Sequence, residues 1–124
     1  MKIIVPCNNK GGVGKTCVSA ILADYASNIL KKKTLVIDLD PQCNISQRYL
    51  EMEIDPNNKD GHQPPIHIDF NKEEDDDWNG RSSIADIFLN PKNGVVPYPT
   101  INKNLDIMPA HAEHLLLVEQ CERN

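Results

Sequence analysis

The stretch Lys10-Gly11-Gly12-Val13-Gly14-Lys15-Thr16 decides how the rest of this 124-residue sequence is read. It follows the apolar run Ile3-Ile4-Val5 and opens onto a segment with helical periodicity. Three glycines within four positions let backbone N–H groups turn inward around an anion with no Cβ in the way. A helix N-terminus directly after them adds its positive dipole end at the same place. Lys15 then reaches the β- and γ-phosphates, and the Thr16 hydroxyl holds Mg2+. A glycine-rich turn without ligand is the plain alternative. A strand before and a helix after are the context a phosphate-binding loop requires, and both are predicted here. The stretch reads as a nucleotide site.

Working outward, Val18, Ile21, Leu22, Tyr25, Ala26, Ile29 and Leu30 recur at helical spacing and predict one apolar helix face. Lys31, Lys32 and Lys33 close that helix near its negative dipole end, as a solvated cap in preference to a nucleic-acid patch. Thr34-Leu35-Val36-Ile37 predicts a strand buried on both faces, as does the run within residues 2–7. Strand, helix and strand in a unit of about 35 residues make a βαβ crossover and a parallel sheet. Ligands of such sheets sit at the carboxyl ends of the strands, so the glycine loop and the Asp38/Asp40 pair are expected to converge. Both carboxylates can face that region only where the strand breaks, and Pro41 favours a break. Carboxylates beside Mg2+ and a γ-phosphate hold metal-bound water and orient an attacking one. Without the glycine loop, the pair would read as turn aspartates.

The strict phosphate-loop pattern asks for glycine where Asn9 stands. With Lys10 heading the glycines, the stretch resembles the deviant Walker A motif of the ParA/MinD family of ATPases. Asp38-Leu39-Asp40-Pro41-Gln42-Cys43-Asn44 resembles the second motif of that family, D-x-D-P-Q-x-N, and the combination points to ParA-like members. The family usually has glycine where Cys43 stands and threonine where Cys17 stands. The resemblance implies an α/β P-loop NTPase, a parallel sheet with flanking helices, of which residues 1–124 correspond to the N-terminal half. It implies ATP and Mg2+ as cofactors, with Lys10, Gly11, Gly12, Val13, Gly14, Lys15, Thr16 and Cys17 around the nucleotide and Thr16 and Asp38 toward the metal. Lys10, Lys15 and Asp40 form the implied catalytic set: Lys10 crosses to the nucleotide of the opposite subunit, and Asp40 positions the attacking water. A homodimer on ATP binding, hydrolysis that partitions or positions DNA or other cargo, and a ParB-like partner follow from the same likeness. DNA contact and adenine contact, in the family, are made by parts this sequence does not include.

The remaining chain is ordinary in composition, with 40% apolar and 25% charged residues, and its length suits one domain or less. No apolar run approaches a membrane span or a secretory leader, so a cytoplasmic setting is expected. Cys7, Cys17, Cys43 and Cys121 show no metal spacing and read as reduced thiols. Residues 51–77 hold ten acidic residues against Lys59 and Lys72, a net −8, so the other residues carry +3. Turn formers and the block Glu73-Glu74-Asp75-Asp76-Asp77 predict an acidic, mobile surface insertion at about 55–81, within which Ile66-His67-Ile68-Asp69-Phe70 alternates like an edge strand. His62 and His67, near the acids, match no metal-ligand spacing; His111 and His114, at i and i+3, could share a face for a metal but read first as surface or helix-end histidines. Short helices are expected at 44–52, 82–89 and 111–122, and a third strand at 104–109. No later apolar strand ends in an aspartate to complete Mg2+ coordination, which favours a piece of a longer polypeptide over a naturally short relative. The competing reading is a nucleotide-binding or protein-interaction module that does not hydrolyse, with the acidic loop as its docking surface.

Overall fold

The computed structural model describes residues 1–3 and 15–123. The strand expected within residues 2–7 and the loop Lys10–Gly14 therefore lie outside the described residues, as do Cys7 and Asn9. Helix α1 spans Lys15–Asp24 and continues as a π-helical turn over Tyr25–Ile29. Strand β1 is Thr34–Ile37, followed by α2 at Asn44–Tyr49. A hairpin of β2 (Glu53–Asp55) and β3 (Asn58–Gln63) comes next, then the single turn of α3 at Asp86–Leu89. Strands β4 (Tyr98–Pro99) and β5 (Leu105–Met108) lead into α4, Ala112–Arg123.

The main sheet has the order β1-β5-β4. Strand β1 runs parallel to β5, with Thr34 opposite Leu105 and Ile37 opposite Met108, a parallel pairing as an α/β fold has; the strand that the βαβ reading places before α1 lies outside the described residues. Strand β4 pairs antiparallel with β5, Tyr98 facing Ile107. This strand arises inside the Gly/Pro-rich connector 93–100, where no strand is expected from sequence. Its Tyr98 explains it: the ring is buried with Val36, Leu105 and Ile107, and its hydroxyl accepts from Ser82 N–H at 3.0 Å and donates to Pro65 C=O at 2.7 Å. A second buried cluster joins Cys43, Ile84, Ala85, Ala110, Ala112 and Leu115.

Two sequence expectations are corrected. The buried face of α1 and its π-helical turn consists of Ala20, Ala23 and Ser27, with Ala23 in the cluster of the sheet, whereas Val18, Ile21, Leu22, Tyr25, Ile29 and Leu30 are 39–66% exposed. Small residues let the helix backbone come close to the strands, and Ser27 keeps its hydroxyl satisfied there by donating to Ala23 C=O at 2.6 Å. Strand β1 is likewise buried on one face only: Val36 is inside, while Leu35 and Ile37 are about half exposed.

The segment expected as a surface insertion carries the β2–β3 hairpin and a loop organised around aromatic rings. His67 is buried, 4.6 Å from the Tyr98 ring and 5.8 Å from Trp78, and Phe70 meets Trp78 edge-on at 5.6 Å. His67 shares a 2.8 Å hydrogen bond with Pro97 C=O. Ile66–Phe70 is not the expected edge strand: Phe70 N–H turns back to His67 C=O at 3.0 Å. Gly80 sits at φ 87°, and a Cβ there would stand 2.8 Å from the Phe70 ring, so both backbone and space require glycine. Ahead of α3, Asp86 caps backward, accepting from Ser83 N–H at 2.9 Å. No helix among the described residues is long and apolar enough to cross a membrane.

Candidate nucleotide-binding site

The site builds from the carboxyl end of β1. Asp38 N–H still donates to Met108 C=O at 3.1 Å, so the ladder with β5 runs one residue past Ile37. Strand alternation then turns the Asp38 side chain to the same side as Val36, into the protein, where it is 3% exposed. The chain breaks at Leu39–Pro41, as Pro41 leads one to expect. Asp40 lies beyond the break, and its carboxylate is exposed.

A compact turn carries Asp40 into α2. Asp40 Oδ1 accepts from Gln42 N–H at 3.0 Å, and its carbonyl accepts from Cys43 N–H at 2.9 Å. Among the described residues, its other carboxylate oxygen receives no hydrogen bond. Cys43 precedes the helix at φ 60°, ψ 25°, a left-handed conformation that costs a non-glycine residue about 1–2 kcal/mol. That geometry is a physical reason for glycine to be the usual choice in the motif. The Cys43 thiol is fully buried, and burial, reinforced by Asp38 and Asp40, pushes it up to about 12. It is chemically quiet.

The two aspartates are thus separated in role. Asp38 Oδ1 accepts from Asp40 N–H at 3.0 Å, while Oδ2 accepts from Ser46 N–H at 3.0 Å and from the Ser46 hydroxyl at 2.6 Å. Burial raises the Asp38 carboxyl above its ordinary range, against the lowering pull of Ser46 and the Asp40 amide. As a Mg2+ ligand it fits poorly: both oxygens already serve protein donors and almost none of the group reaches solvent. The half-buried Thr16, at the start of α1, fits better through its hydroxyl, and the exposed Asp40 carboxylate is open to a water. Cys17 is exposed one residue further on.

Helices α1 and α2 are tied directly. Asp24 accepts from Arg48 at 2.8 Å and from the Tyr49 hydroxyl at 2.8 Å. Burial pushes the Tyr49 phenol up to about 12, and its bond to Asp24 adds to this. A cleft of about 270 Å³ beside this tie is lined by Asp24, Asn28, Arg48, Tyr49, Thr100, Ile101 and Asn102. It is distinct from the nucleotide motifs, since Asp24 lies about 12 Å along α1 from Thr16 at the helical rise per residue. Among the described residues no three His, Cys, Asp or Glu side chains cluster as a metal site.

Sequence reasoning singles out Asp38, Asp40 and Thr16 but misses Ser46, Arg48 and Tyr49. A serine in the first turn of a helix that follows an Asp-Pro turn is a recognisable hydrogen-bonding position. Nothing local marks Arg48 and Tyr49, whose partner Asp24 is more than twenty positions away.

Comparison with known proteins agrees with this arrangement. A family model described as "AAA domain" matches residues 1–120. The chromosome-partitioning ATPase Soj of Treponema pallidum is 49% identical over 45 residues, covering 36% of this chain and 17% of that protein. A virulence plasmid ParA family protein of Chlamydia psittaci is 41% identical over 46 residues, covering 37% of this chain and 18% of that protein. A crystal structure of a Corynebacterium diphtheriae protein superposes with a TM-score of 0.60 at 28% identity, covering 93% of this chain and 38% of that one. The chain spans between 17% and 23% of the length of the curated relatives it matches. With that match over nearly its whole length, a parallel β1–β5 pair and Asp40 presented where the strand ends, the chain belongs to the AAA-domain family of ParA-like, partition-type ATPases.

Proposed function

We propose that this chain supplies the phosphate-binding and water-orienting portion of an Mg-ATP-dependent ATPase that dimerises on ATP and uses hydrolysis to partition or position DNA or another cargo. The observation that carries this reading is the turn after β1, which exposes Asp40 at the carboxyl end of a parallel strand in a chain that also contains Lys10-Gly11-Gly12-Val13-Gly14-Lys15-Thr16. Gly11, Gly12, Val13 and Gly14 direct backbone N–H groups to the phosphates, with Cys17 following in the first turn of α1. Lys15 neutralises the β- and γ-phosphates, and Lys10 reaches the nucleotide of a second subunit. The Thr16 hydroxyl holds Mg2+, which when bound offsets charge on the same oxygens. Asp40 accepts a hydrogen bond from the attacking water and aims it at the γ-phosphorus. A ParB-like partner and a DNA cargo belong to this reading as well.

Asp40→Asn tests the assignment. It should keep Mg-ATP affinity within about threefold and lower turnover by about a hundredfold or more, since proton acceptance and water orientation are lost while phosphate contacts stay. Sedimentation of Lys10→Ala with Mg-ATP should show monomer where the unaltered chain shows dimer. Turnover is read in a polypeptide that also carries the strand completing Mg2+ coordination; Mg-ATP binding there with no turnover would favour the non-hydrolysing module instead.

A further inference from the structure

The Asp38 carboxylate sits at the centre of a buried chain of hydrogen bonds that reaches three separate pieces of backbone. Its Oδ1 holds the Asp40 N–H at 3.0 Å, and its Oδ2 holds both the N–H and the hydroxyl of Ser46, at 3.0 and 2.6 Å. The Ser46 hydroxyl, having donated its proton to Asp38, accepts from Ala110 N–H at 2.9 Å. Ser46 is wholly buried. Pro109 has no N–H to give, so Ala110 provides the first donor after β5, and it finds its acceptor in Ser46. The end of β1, the first turn of α2 and the segment leaving β5 are thereby closed into one network with every lone donor used.

That network bears on Asp40 in particular. Apart from the turn it makes with Gln42 and Cys43, the backbone of Asp40 is held, among the described residues, by one side chain, that of Asp38. An exposed carboxylate needs its backbone fixed to within a fraction of an ångström to aim a water, and a partly buried, charge-assisted bond provides such a restraint. The same bonds use three of the roughly four acceptor positions of the Asp38 carboxylate, and burial of the group leaves little of it open to a cation.

We propose that Asp38 and Ser46 are positioning residues that aim Asp40, and that Ser46 couples the position of Asp40 to the segment after β5; Asp38 is not a metal ligand. The inference rests on the reading of Asp40 as the water-orienting group. It goes beyond that reading by assigning the burial of Asp38, and a serine outside the phosphate loop, to the chemistry at a different residue.

The test compares the unaltered chain with Ser46→Ala, Ser46→Thr and Asp38→Asn, each checked for a cooperative unfolding transition. Ser46→Ala should keep Mg-ATP affinity within about threefold but lower kcat about tenfold, and Ser46→Thr, which restores the hydroxyl, should return kcat to within about threefold. Asp38→Asn should lower kcat at least as much while leaving the Mg2+ dependence of binding unchanged. Ser46→Ala turning over at the unaltered rate, or Asp38→Asn raising the Mg2+ requirement tenfold, would overturn the proposal. Nuclear magnetic resonance of the chain without nucleotide separates its failure from that of the proposed function. The Asp40 amide proton should shift upfield and exchange at least about tenfold faster in Asp38→Asn, and the Ala110 amide should do so in Ser46→Ala. An Asp40 amide unchanged by Asp38→Asn refutes the network whether or not ATP is hydrolysed.

Discussion

Two aspartates are almost completely buried in this chain, and the protein treats them in opposite ways. Asp38, at the end of β1, is 3% exposed and receives three hydrogen bonds. Asp55, at the end of β2, is 1% exposed; its Oδ1 accepts from Asn57 N–H at 2.9 Å, but its Oδ2 has no hydrogen-bond partner. That orphaned oxygen faces the His111 imidazole across 3.7 Å, and His111 in turn stacks on His114 with ring centroids 3.6 Å apart. A carboxylate with a full set of donors is part of the scaffold. One whose second oxygen is buried without a donor returns less to the scaffold for the same desolvation.

The largest effect should come from breaking the satisfied carboxylate. Asp38→Ala leaves the Asp40 amide, the Ser46 amide and the Ser46 hydroxyl without their acceptor, a loss of about 3–5 kcal/mol for a broken buried charge network. Urea unfolding at neutral pH measures it. A cost below about 1 kcal/mol would mean that the network adds nothing to the desolvation it requires.

A comparable swing should come from pH, through the other region. Burial, with His114 alongside and Arg81 nearby, lowers His111 to about 4, against an opposing pull from Asp55. The unfolded chain therefore takes up a proton at His111 before the folded chain does. Stability from this group is complete above the ordinary histidine range near 6.5, declines as pH falls toward about 4, and levels off below that. A gap of this width corresponds to about 3 kcal/mol. His111→Gln should flatten the dependence between pH 6.5 and 4.5, measured as the difference from the unaltered chain so that other groups cancel. Equal slopes in the two proteins would count against the burial of the ring.

Smaller effects sharpen the contrast. Ser46→Ala should cost about 1–3 kcal/mol, because Ala110 N–H and one lone pair of Asp38 lose their partner inside the protein. Asp55→Asn should cost under about 1 kcal/mol or stabilise at neutral pH, since it removes a buried charge compensated by a single donor, Asn57 N–H. If the two aspartate-to-asparagine variants destabilised equally, the distinction between satisfied and orphaned carboxylates would collapse.

Much of this arrangement is legible in the residues. The apolar run Thr34–Ile37, the break signalled by Pro41, helix α2 and the strand at Leu105–Met108 all follow from local pattern, and together they put Asp40 at a strand end. What pattern cannot supply is which side faces inward. Helical spacing marks Val18, Ile21 and Leu22 as the buried face of α1, yet close approach to the sheet selects Ala20, Ala23 and Ser27. Size decided that contact, and apolar periodicity does not weigh size. The same holds for Asp38 and Asp40, two identical side chains two positions apart, of which one completes the sheet ladder and turns inside while the other lies past the break. The anchoring of the loop around His67 was hidden for another reason. Its partners Trp78 and Tyr98 are distant in sequence, and the acidic block between them dominates the composition.

One nucleotide site built from the loop ending in Lys15-Thr16 and the turn bearing Asp40 is checked by equilibrium binding of Mg-ATP to the unaltered chain and to Lys15→Ala. Binding should be saturable, Mg2+-dependent and at least a hundredfold weaker once the Lys15 ammonium is removed. Equal affinity in the two proteins would rule such a site out.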